Sequence, residues 1–231
     1  MWLIQEIFDS GLSNIYVKET KQHFKRRFNI ELQSFQAVTP KDINKINGPK
    51  DGWFYKYNEL NFRRTKVRTN NRPQGGEFTL TEIACFCTHF EMWKRCIKLK
   101  KPIAIIEHDA RLDKKHEDFD IRKAWARFHI PNDPMFTRNR GFASLGRPPM
   151  TIYFIHPTFA YDLVGEVQQS LFTPINHQVD AYLITYCNKL LKKGMHRIRV
   201  FIQSKEHGKV INHGGNTILD PDREKPFQIA D

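Results

Sequence analysis

Residues 78–112 read FTLTEIACFCTHFEMWKRCIKLKKPIAIIEHDARL, and this stretch decides the fold. From Thr81 to about Leu99 its apolar residues recur at helical spacing, with Glu82 in the first turn, as a helix start prefers. The apolar run Ile103–Ile106 then predicts a buried strand. This strand ends abruptly in Glu107, His108 and Asp109. Packing explains the apolar run, but it does not explain two carboxylates and an imidazole at the exit of the strand.

The rest of the chain alternates between strand-like and helix-like segments. Strands are predicted at 14–18 (NIYVK), 34–38, 151–155 and 197–202, and helices at 19–28, 157–171 and about 177–193. Residues 39–77 are polar and predict a long surface excursion, and residues 111–150 predict a loop-rich region. Such alternation is typical of an α/β protein. We therefore expect one domain over residues 1–231, built on a mostly parallel sheet flanked by helices.

The composition and net charge limit the kinds of partner that the protein is expected to bind. The net charge is +12, which favours a polyanionic partner such as nucleic acid, an anionic membrane surface or a nucleotide-bearing substrate, although solubility alone is the alternative explanation. No apolar run approaches the roughly 20 residues of a membrane span, and the start of the chain does not have the pattern of a signal peptide. Four cysteines in 231 residues do not suggest a secreted disulfide framework. We expect a cytoplasmic protein with reduced thiols, in the host cytoplasm if the chain is encoded by a phage.

The acidic exit of the buried strand suits a divalent cation. In open α/β sheets, ligands bind at the carboxyl ends of the strands, and carboxylates there can hold a cation that bridges the phosphates of a nucleotide. The alternative is a polar strand end that only caps a turn. A zinc site at Cys85 and His89, one helical turn apart, is disfavoured because no second ligand pair of suitable spacing follows.

The same stretch resembles glycosyltransferase family 25, which includes lipooligosaccharide and collagen sugar transferases. In that family a Gly-Glu-Ile-Gly-Cys segment precedes Ser-His, a Trp and a hydrophobic strand that ends in Glu-Asp-Asp. The matching residues, in order and spacing, are Glu82, Ile83, Cys85, His89, Trp93, Glu107 and Asp109. NIYVK and the later FQAV are similar to the first strand of the family and its Glu-Ala-Val segment, and Pro174 with Val179–Asp180 resembles a late Pro-x-Asp element. Thr81, Ala84, Thr88 and His108 depart from the pattern, and His108 removes one carboxylate from the acidic triplet.

The resemblance implies a GT-A-like domain that binds a UDP-sugar with Mn²⁺ or Mg²⁺. It assigns the metal to Asp109 and a contact with the donor nucleotide to Glu107. His207 or His213, in the predicted C-terminal loop, is a candidate second ligand, and we select His213. Donor binding is extended to His89 and to the predicted first strand at Tyr16, Val17 and Lys18. Inverting transfer, as the family implies, needs a general base. Asp180 is the first candidate and Glu82 the second, and the alternative for Asp180 is a carboxylate that only interacts with a helix dipole.

The acceptor is predicted from charge and aromatic content. Rings at 53–57 are followed by bases that suit a phosphate backbone and an unstacked nucleobase. These bases are Arg63, Arg64, Lys66, Arg68 and Arg72, and the segment RNRGF adds Arg138 and Arg140. We therefore expect a phage-type transferase that acts on a hydroxymethylated pyrimidine in DNA, with a lipooligosaccharide or another glycan as the alternative acceptor. A metal-dependent nuclease and a non-catalytic DNA-binding module are alternatives from other classes.

Overall fold

The computed structural model describes residues 1–8, 10–44, 53–55, 60–62, 78, 80–108, 110–112, 120–129, 142–144, 152–171, 174–192 and 210–212. The helices are α1 Gly11–Phe28, α2 Leu80–Leu99, α3 Ile121–His129, α4 Pro157–Gln168 and α5 Val179–Lys192. The strands are β1 Trp2–Glu6, β2 Gln33–Gln36, β3 Ile43–Asn44, β4 Trp53–Tyr55, β5 Asn61–Phe62, β6 Ile103–Ile106, β7 Ala110–Leu112, β8 Phe142–Ser144, β9 Ile152–Ile155 and β10 Val210–Asn212. Short 3₁₀ helices span Pro40–Asp42 and Gln169–Leu171.

The main sheet has five strands in the order β2-β1-β6-β9-β8. Strand β1 pairs in parallel with both β2 and β6, whereas β9 pairs antiparallel with β6 and with β8. Strand β8 therefore points the same way as β6, so β9 alone runs against the other strands of this sheet. The predicted α/β architecture with a mostly parallel sheet flanked by helices is confirmed.

Alternating side chains of the sheet enter two separate cores. Leu3, Ile105 and Tyr153 pack with α2, α4 and α5 on one face, whereas Ile4, Ile106 and Phe154 pack with α1 and α3 on the other. Successive side chains of a strand point to opposite faces, so a sheet covered by helices on both sides needs strands that are apolar throughout. The continuous apolar runs of β6 and β9 satisfy this requirement, and all four residues of each strand are buried.

The prediction of a strand at NIYVK, with Tyr16, Val17 and Lys18, is wrong, because these residues lie in α1. The helix begins after Ser10, whose hydroxyl accepts from the backbone N–H of Ser13 at 3.2 Å, and it ends at Asn29 in the left-handed conformation. Its buried residues recur every three or four positions and are Ser13, Val17, Thr20, Phe24 and Phe28. The opening is still strand–helix–strand, but its first strand is β1, one element earlier than predicted.

The other predicted elements agree with the structure where it describes them. Strands β2, β6 and β9 and helices α2, α4 and α5 lie within a few residues of the predicted bounds. The strand predicted at 197–202 lies outside the described residues. No helix in the described part of the chain is long and apolar enough to cross a membrane.

The two segments predicted to be surface excursion and loop contain packed structure. Within 39–77, strands β3, β4 and β5 form an antiparallel sheet, and Leu60 and Phe62 are fully buried in the same core as α2. Within 111–150, helix α3 packs Ile121 and Phe128 against the opposite face of the main sheet. Sparse apolar residues in polar sequence therefore anchor both segments to the core.

Candidate functional site

The candidate site lies where the chain leaves β1 and β6. These neighbouring strands are parallel, so their carboxyl ends meet at one edge of the sheet. Helix α1, which follows β1, covers one face, and α2, which leads into β6, covers the other. In the main sheet, the strand that follows β1 along the chain is β2 on one side, whereas the strands that follow β6 are β8 and β9 on the other side. The connections therefore diverge between β1 and β6, which is the position where open α/β sheets form a ligand-binding crevice. Glu6 ends β1 here, and Glu107 and His108 follow β6.

Helix α1 fixes the backbone of both strand exits. The buried hydroxyl of Ser13 accepts a hydrogen bond from the backbone N–H of Ile7 at 3.0 Å. The buried hydroxyl of Thr20 donates to the carbonyl oxygen of His108 at 2.8 Å. The backbone N–H of Ala110 donates to the carbonyl of Glu107 at 3.1 Å, which closes a turn directly after β6. The corner that carries Glu107 is therefore held from two sides.

Behind this corner lies a buried chain of polar side chains. The Nε1–H of Trp93 donates to the hydroxyl oxygen of Tyr153 at 2.9 Å, and that oxygen lies 2.6 Å from Nδ1 of His89. Nε2 of His89 lies 2.8 Å from the side-chain amide of Gln5 and 3.9 Å from Oε1 of Glu107. Burial lowers the pKa of His89 to about 3, so the ring is neutral at physiological pH. His89 therefore has no charge to share with Glu107.

The negative charges of two carboxylates act on the hydroxyl of Tyr153. Burial raises the pKa of Tyr153 well above its ordinary value, and the negative charges of Glu107 and Asp180 raise it further. Asp180 stands in the first turn of α5, and Glu82 stands in the first turn of α2. The amide of Gln178 donates to Glu82, which joins the start of α2 to the residues just before α5. This hydrogen bond thus links the start of α2, with Glu82, to the start of α5, with Asp180.

Of the residues predicted for the site, His89 lies 3.9 Å from Glu107, and Glu82 is linked through Gln178 to the start of α5, which carries Asp180. The residues predicted for donor binding in the first strand lie instead on α1, where Val17 is buried in the core and Lys18 is exposed. Tyr16 is half-buried, and its ring centroid lies 6.2 Å from that of His108. His89 is completely buried, so its polar contacts are the internal ones given above.

The predicted metal ligands and the predicted acceptor-binding bases lie outside the described residues. They are Asp109, His213, Arg63, Arg64, Lys66, Arg68, Arg72, Arg138 and Arg140. Among the residues that are described, no group of three or more His, Cys, Asp or Glu side chains could hold a metal ion. The zinc alternative at Cys85 and His89 thus gains no additional ligand there.

Tyr153, Gln5 and Thr20 were not predicted for the site. Tyr153 carried a signal, because a phenol inside the apolar strand TIYFI needs a hydrogen-bond partner once it is buried. Gln5, in β1, is a buried amide that needs one for the same reason. Thr20 carried no signal, since a hydroxyl on a helix more often contacts its own backbone.

Comparison with known proteins gives a family. Residues 15–126, from α1 into α3, match the model of glycosyltransferase family 25, described as an LPS biosynthesis protein. Among solved structures, the chain is similar to a glycosyltransferase involved in the glycosylation of the major capsid of PBCV-1, with 10% identity, 74% of each chain covered and a TM-score of 0.34. No curated protein matches the sequence.

Proposed function

We propose, from the match of residues 15–126 to the model of glycosyltransferase family 25, that the chain transfers a sugar from a UDP-sugar to a hydroxymethylated pyrimidine base in DNA. The observation that carries the proposal is the position of Glu107 at the crevice between β1 and β6, with the negative charges of Glu107 and Asp180 both acting on Tyr153. Such a position suits a donor nucleotide on one carboxylate and an acceptor hydroxyl on another.

We assign the donor contact to Glu107. Its side chain is only 15% exposed, and its corner is fixed by the turn to Ala110 and by the hydrogen bond from Thr20 to the neighbouring His108. A carboxylate held in this way can accept hydrogen bonds from a ribose without first losing side-chain freedom. A preorganised acceptor of this kind favours one nucleotide orientation over others.

We assign a divalent cation, Mn²⁺ or Mg²⁺, to Asp109 and His213. Strands β7 and β10 pair antiparallel, with Ala110 opposite Asn212 at the end of the described register. Asp109 precedes Ala110 and His213 follows Asn212 in the sequence, so the described register supports a shared site. A bound cation would offset the charge of the donor diphosphate. Asp109→Ala is expected to abolish turnover and its dependence on added Mn²⁺ without unfolding the protein, and full activity in this variant would remove Asp109 from the scheme.

We assign the general base to Asp180, with Glu82 as the second candidate. In an inverting transfer the base takes the proton of the acceptor hydroxyl while that oxygen attacks the anomeric carbon, and the nucleoside diphosphate leaves from the opposite face. Asp180 stands in the first turn of α5, and its negative charge acts on the buried hydroxyl of Tyr153. The resemblance of Pro174 and Val179–Asp180 to the late Pro-x-Asp element of the family supports Asp180 as the first candidate.

The acceptor assignment is supported by charge. Helix α1 carries five basic residues, Lys18, Lys21, Lys25, Arg26 and Arg27, against the single acid Glu19, and the whole chain has a net charge of +12. Polyanionic DNA gains affinity from such a surface through counterion release. A glycan acceptor is the second candidate, because the family model is described by LPS biosynthesis.

The test is transfer of a labelled sugar. Purified protein is incubated with radiolabelled UDP-sugars and Mn²⁺, together with hydroxymethylated duplex DNA, unmodified DNA of the same sequence, or lipooligosaccharide. We expect label only in the hydroxymethylated DNA, with a rate that falls steeply as salt rises. Label in the lipooligosaccharide alone would make a glycan, and not DNA, the acceptor. Absence of label from every acceptor with every donor would overturn the transferase scheme. Nicked DNA without label would favour the nuclease.

A further inference from the structure

The buried polar chain behind Glu107 has a defined direction. Its members come from α2, β9 and β1, and Trp93, Tyr153, His89 and Gln5 are all buried. Among the described residues, the hydroxyl of Tyr153 has two hydrogen-bond neighbours, the indole N–H of Trp93 at 2.9 Å and Nδ1 of His89 at 2.6 Å. An indole N–H can only donate, so Tyr153 accepts from Trp93.

This contact fixes where the hydroxyl proton goes. Tyr153 keeps its proton because burial and the nearby carboxylates raise its pKa. Nδ1 of His89 is the acceptor within reach, so the hydroxyl donates to it. The opposite assignment, with Nδ1–H donating to Tyr153, would leave a buried hydroxyl proton without an acceptor, which is costly.

The tautomer of His89 follows from the direction of this bond. A neutral imidazole has one N–H, and with Nδ1 accepting, the proton must be on Nε2. The structure places Nε2 of the Gln5 amide 2.8 Å from Nε2 of His89, and Oε1 of Glu107 3.9 Å from the same ring nitrogen. Two N–H groups cannot face each other, and the nitrogen and oxygen of an amide are assigned from the hydrogen-bond network. The Nε2–H tautomer therefore requires the Gln5 amide turned over, with its oxygen toward the ring.

We propose that Tyr153 is a positioning residue for Glu107, acting by holding His89 as the Nε2–H tautomer. This inference rests on the proposed function for the role of Glu107 in donor binding. Nε2–H is directed at the amide of Gln5, and its positive end also attracts the carboxylate of Glu107, whose Oε1 lies 3.9 Å from Nε2, and so favours one position of that carboxylate. Because the ring is neutral, Glu107 keeps its full negative charge for the ligand. In the other tautomer a lone pair would face the carboxylate and repel it.

A first experiment measures the tautomer itself. The ¹⁵N chemical shifts of His89 in protein labelled at histidine nitrogens distinguish Nε2–H from Nδ1–H and from the protonated ring. We expect a neutral Nε2–H ring from pH 5 to pH 8 in the wild type and a mixture of tautomers in Tyr153→Phe. A Nδ1–H ring in the wild type would overturn the proposal, whatever the protein binds.

A second experiment measures binding of UDP in the presence of Mn²⁺ by titration calorimetry. Tyr153→Phe is expected to raise the Kd of UDP about tenfold. This is the effect of losing one hydrogen bond between the ligand and the charged carboxylate of Glu107 when that carboxylate is no longer held in position. The matched control is Tyr186→Phe, which removes a hydroxyl from another buried tyrosine of the same core. It is expected to change the Kd less than about twofold.

Failure of the positioning role and failure of the proposed function give different experimental results. If Tyr153→Phe binds UDP as the wild type does, the positioning role is wrong, although the proposed function stands. If the wild type binds no UDP at all, the proposed function fails and removes the donor role of Glu107 with it. Should Tyr153→Phe not fold, as monitored by circular dichroism, the wild-type tautomer still decides the proposal.

Discussion

The hydroxyl of Thr20 donates a hydrogen bond to the carbonyl oxygen of His108 at 2.8 Å, and both residues are buried. This single contact spans 88 positions of sequence and ties α1 to the turn after β6. The carbonyl belongs to the residue next to Glu107, so the bond positions the corner on which the proposed donor contact stands.

Thr20→Val keeps the shape of the side chain but leaves the carbonyl of His108 without this donor. We expect the free energy of unfolding to fall by about 1–3 kcal/mol, because the carbonyl stays buried. Denaturation in urea measures the change. Thr20→Ser retains the hydroxyl and should recover most of the loss; equal stability of the Val and Ser variants would show that the bond does not hold the corner.

Asp180→Asn is expected to lower turnover about 10²–10⁴-fold, with UDP affinity unchanged. The amide cannot take a proton, but it can still interact with the N-terminus of α5. Single-turnover assays of sugar transfer measure the effect. Asp162→Asn, on the exposed surface of α4, is the matched control. If Asp180→Asn turned over as fast as the wild type, the only role left for Asp180 would be its interaction with the dipole of α5. Glu82 would then be the candidate base.

Acid should destabilise the fold through His89. Burial lowers its pKa from 6.5 to about 3, so the folded state binds fewer protons than the unfolded state between these values. Stability is therefore complete above pH 6.5 and falls with decreasing pH, with a slope of up to about 1.4 kcal/mol per pH unit. Urea denaturation at pH 5 to 6.5 measures the slope above the titration range of most carboxylates. His89→Gln should be less stable at neutral pH, but its stability should fall less over this range. An unchanged slope would mean that His89 is protonated in the folded protein.

Thiol reactivity should single out Cys85. It is half-buried, whereas Cys87, Cys96 and Cys187 are buried. Burial raises the pKa of both Cys96 and Cys187 to about 12, so little thiolate forms at pH 8. We expect a fast phase with Ellman's reagent that is lost in Cys85→Ser and kept in Cys187→Ser. A fast phase that survives in Cys85→Ser would show that another thiol is the exposed one.

Local pattern was sufficient for α2, β6 and β9, because long apolar runs and a broad helical stripe leave few alternatives. It failed at NIYVK, where Ile15 and Val17 resemble a strand although they belong to α1. In the structure Ile15 is 54% exposed and Val17 is buried. The buried face of α1 includes Ser13 and Thr20, whose small polar side chains interrupt the apolar periodicity.

The candidate site shows the same difference between residues that a sequence pattern identifies and residues that only the folded chain brings together. Glu82, His89, Glu107 and Asp180 were identified by their resemblance to a family pattern, which is written in sequence order. Tyr153 reaches His89 because β9 pairs with β6, with Tyr153 opposite Ile105. Such a long-range register is not encoded in the residues around Tyr153, so only the folded chain shows the contact.

The central claim is that the corner at Glu107 binds the donor nucleotide. Titration calorimetry of UDP into the wild type, Glu107→Gln and the control Glu166→Gln, in the presence of Mn²⁺, tests it most directly. Glu166 pairs with Lys189 on the surface, so its replacement should leave binding intact. We predict that Glu107→Gln weakens UDP binding about tenfold or more, with an unchanged circular dichroism spectrum. Equal affinities in all three proteins, or no binding of UDP by the wild type, would contradict the account.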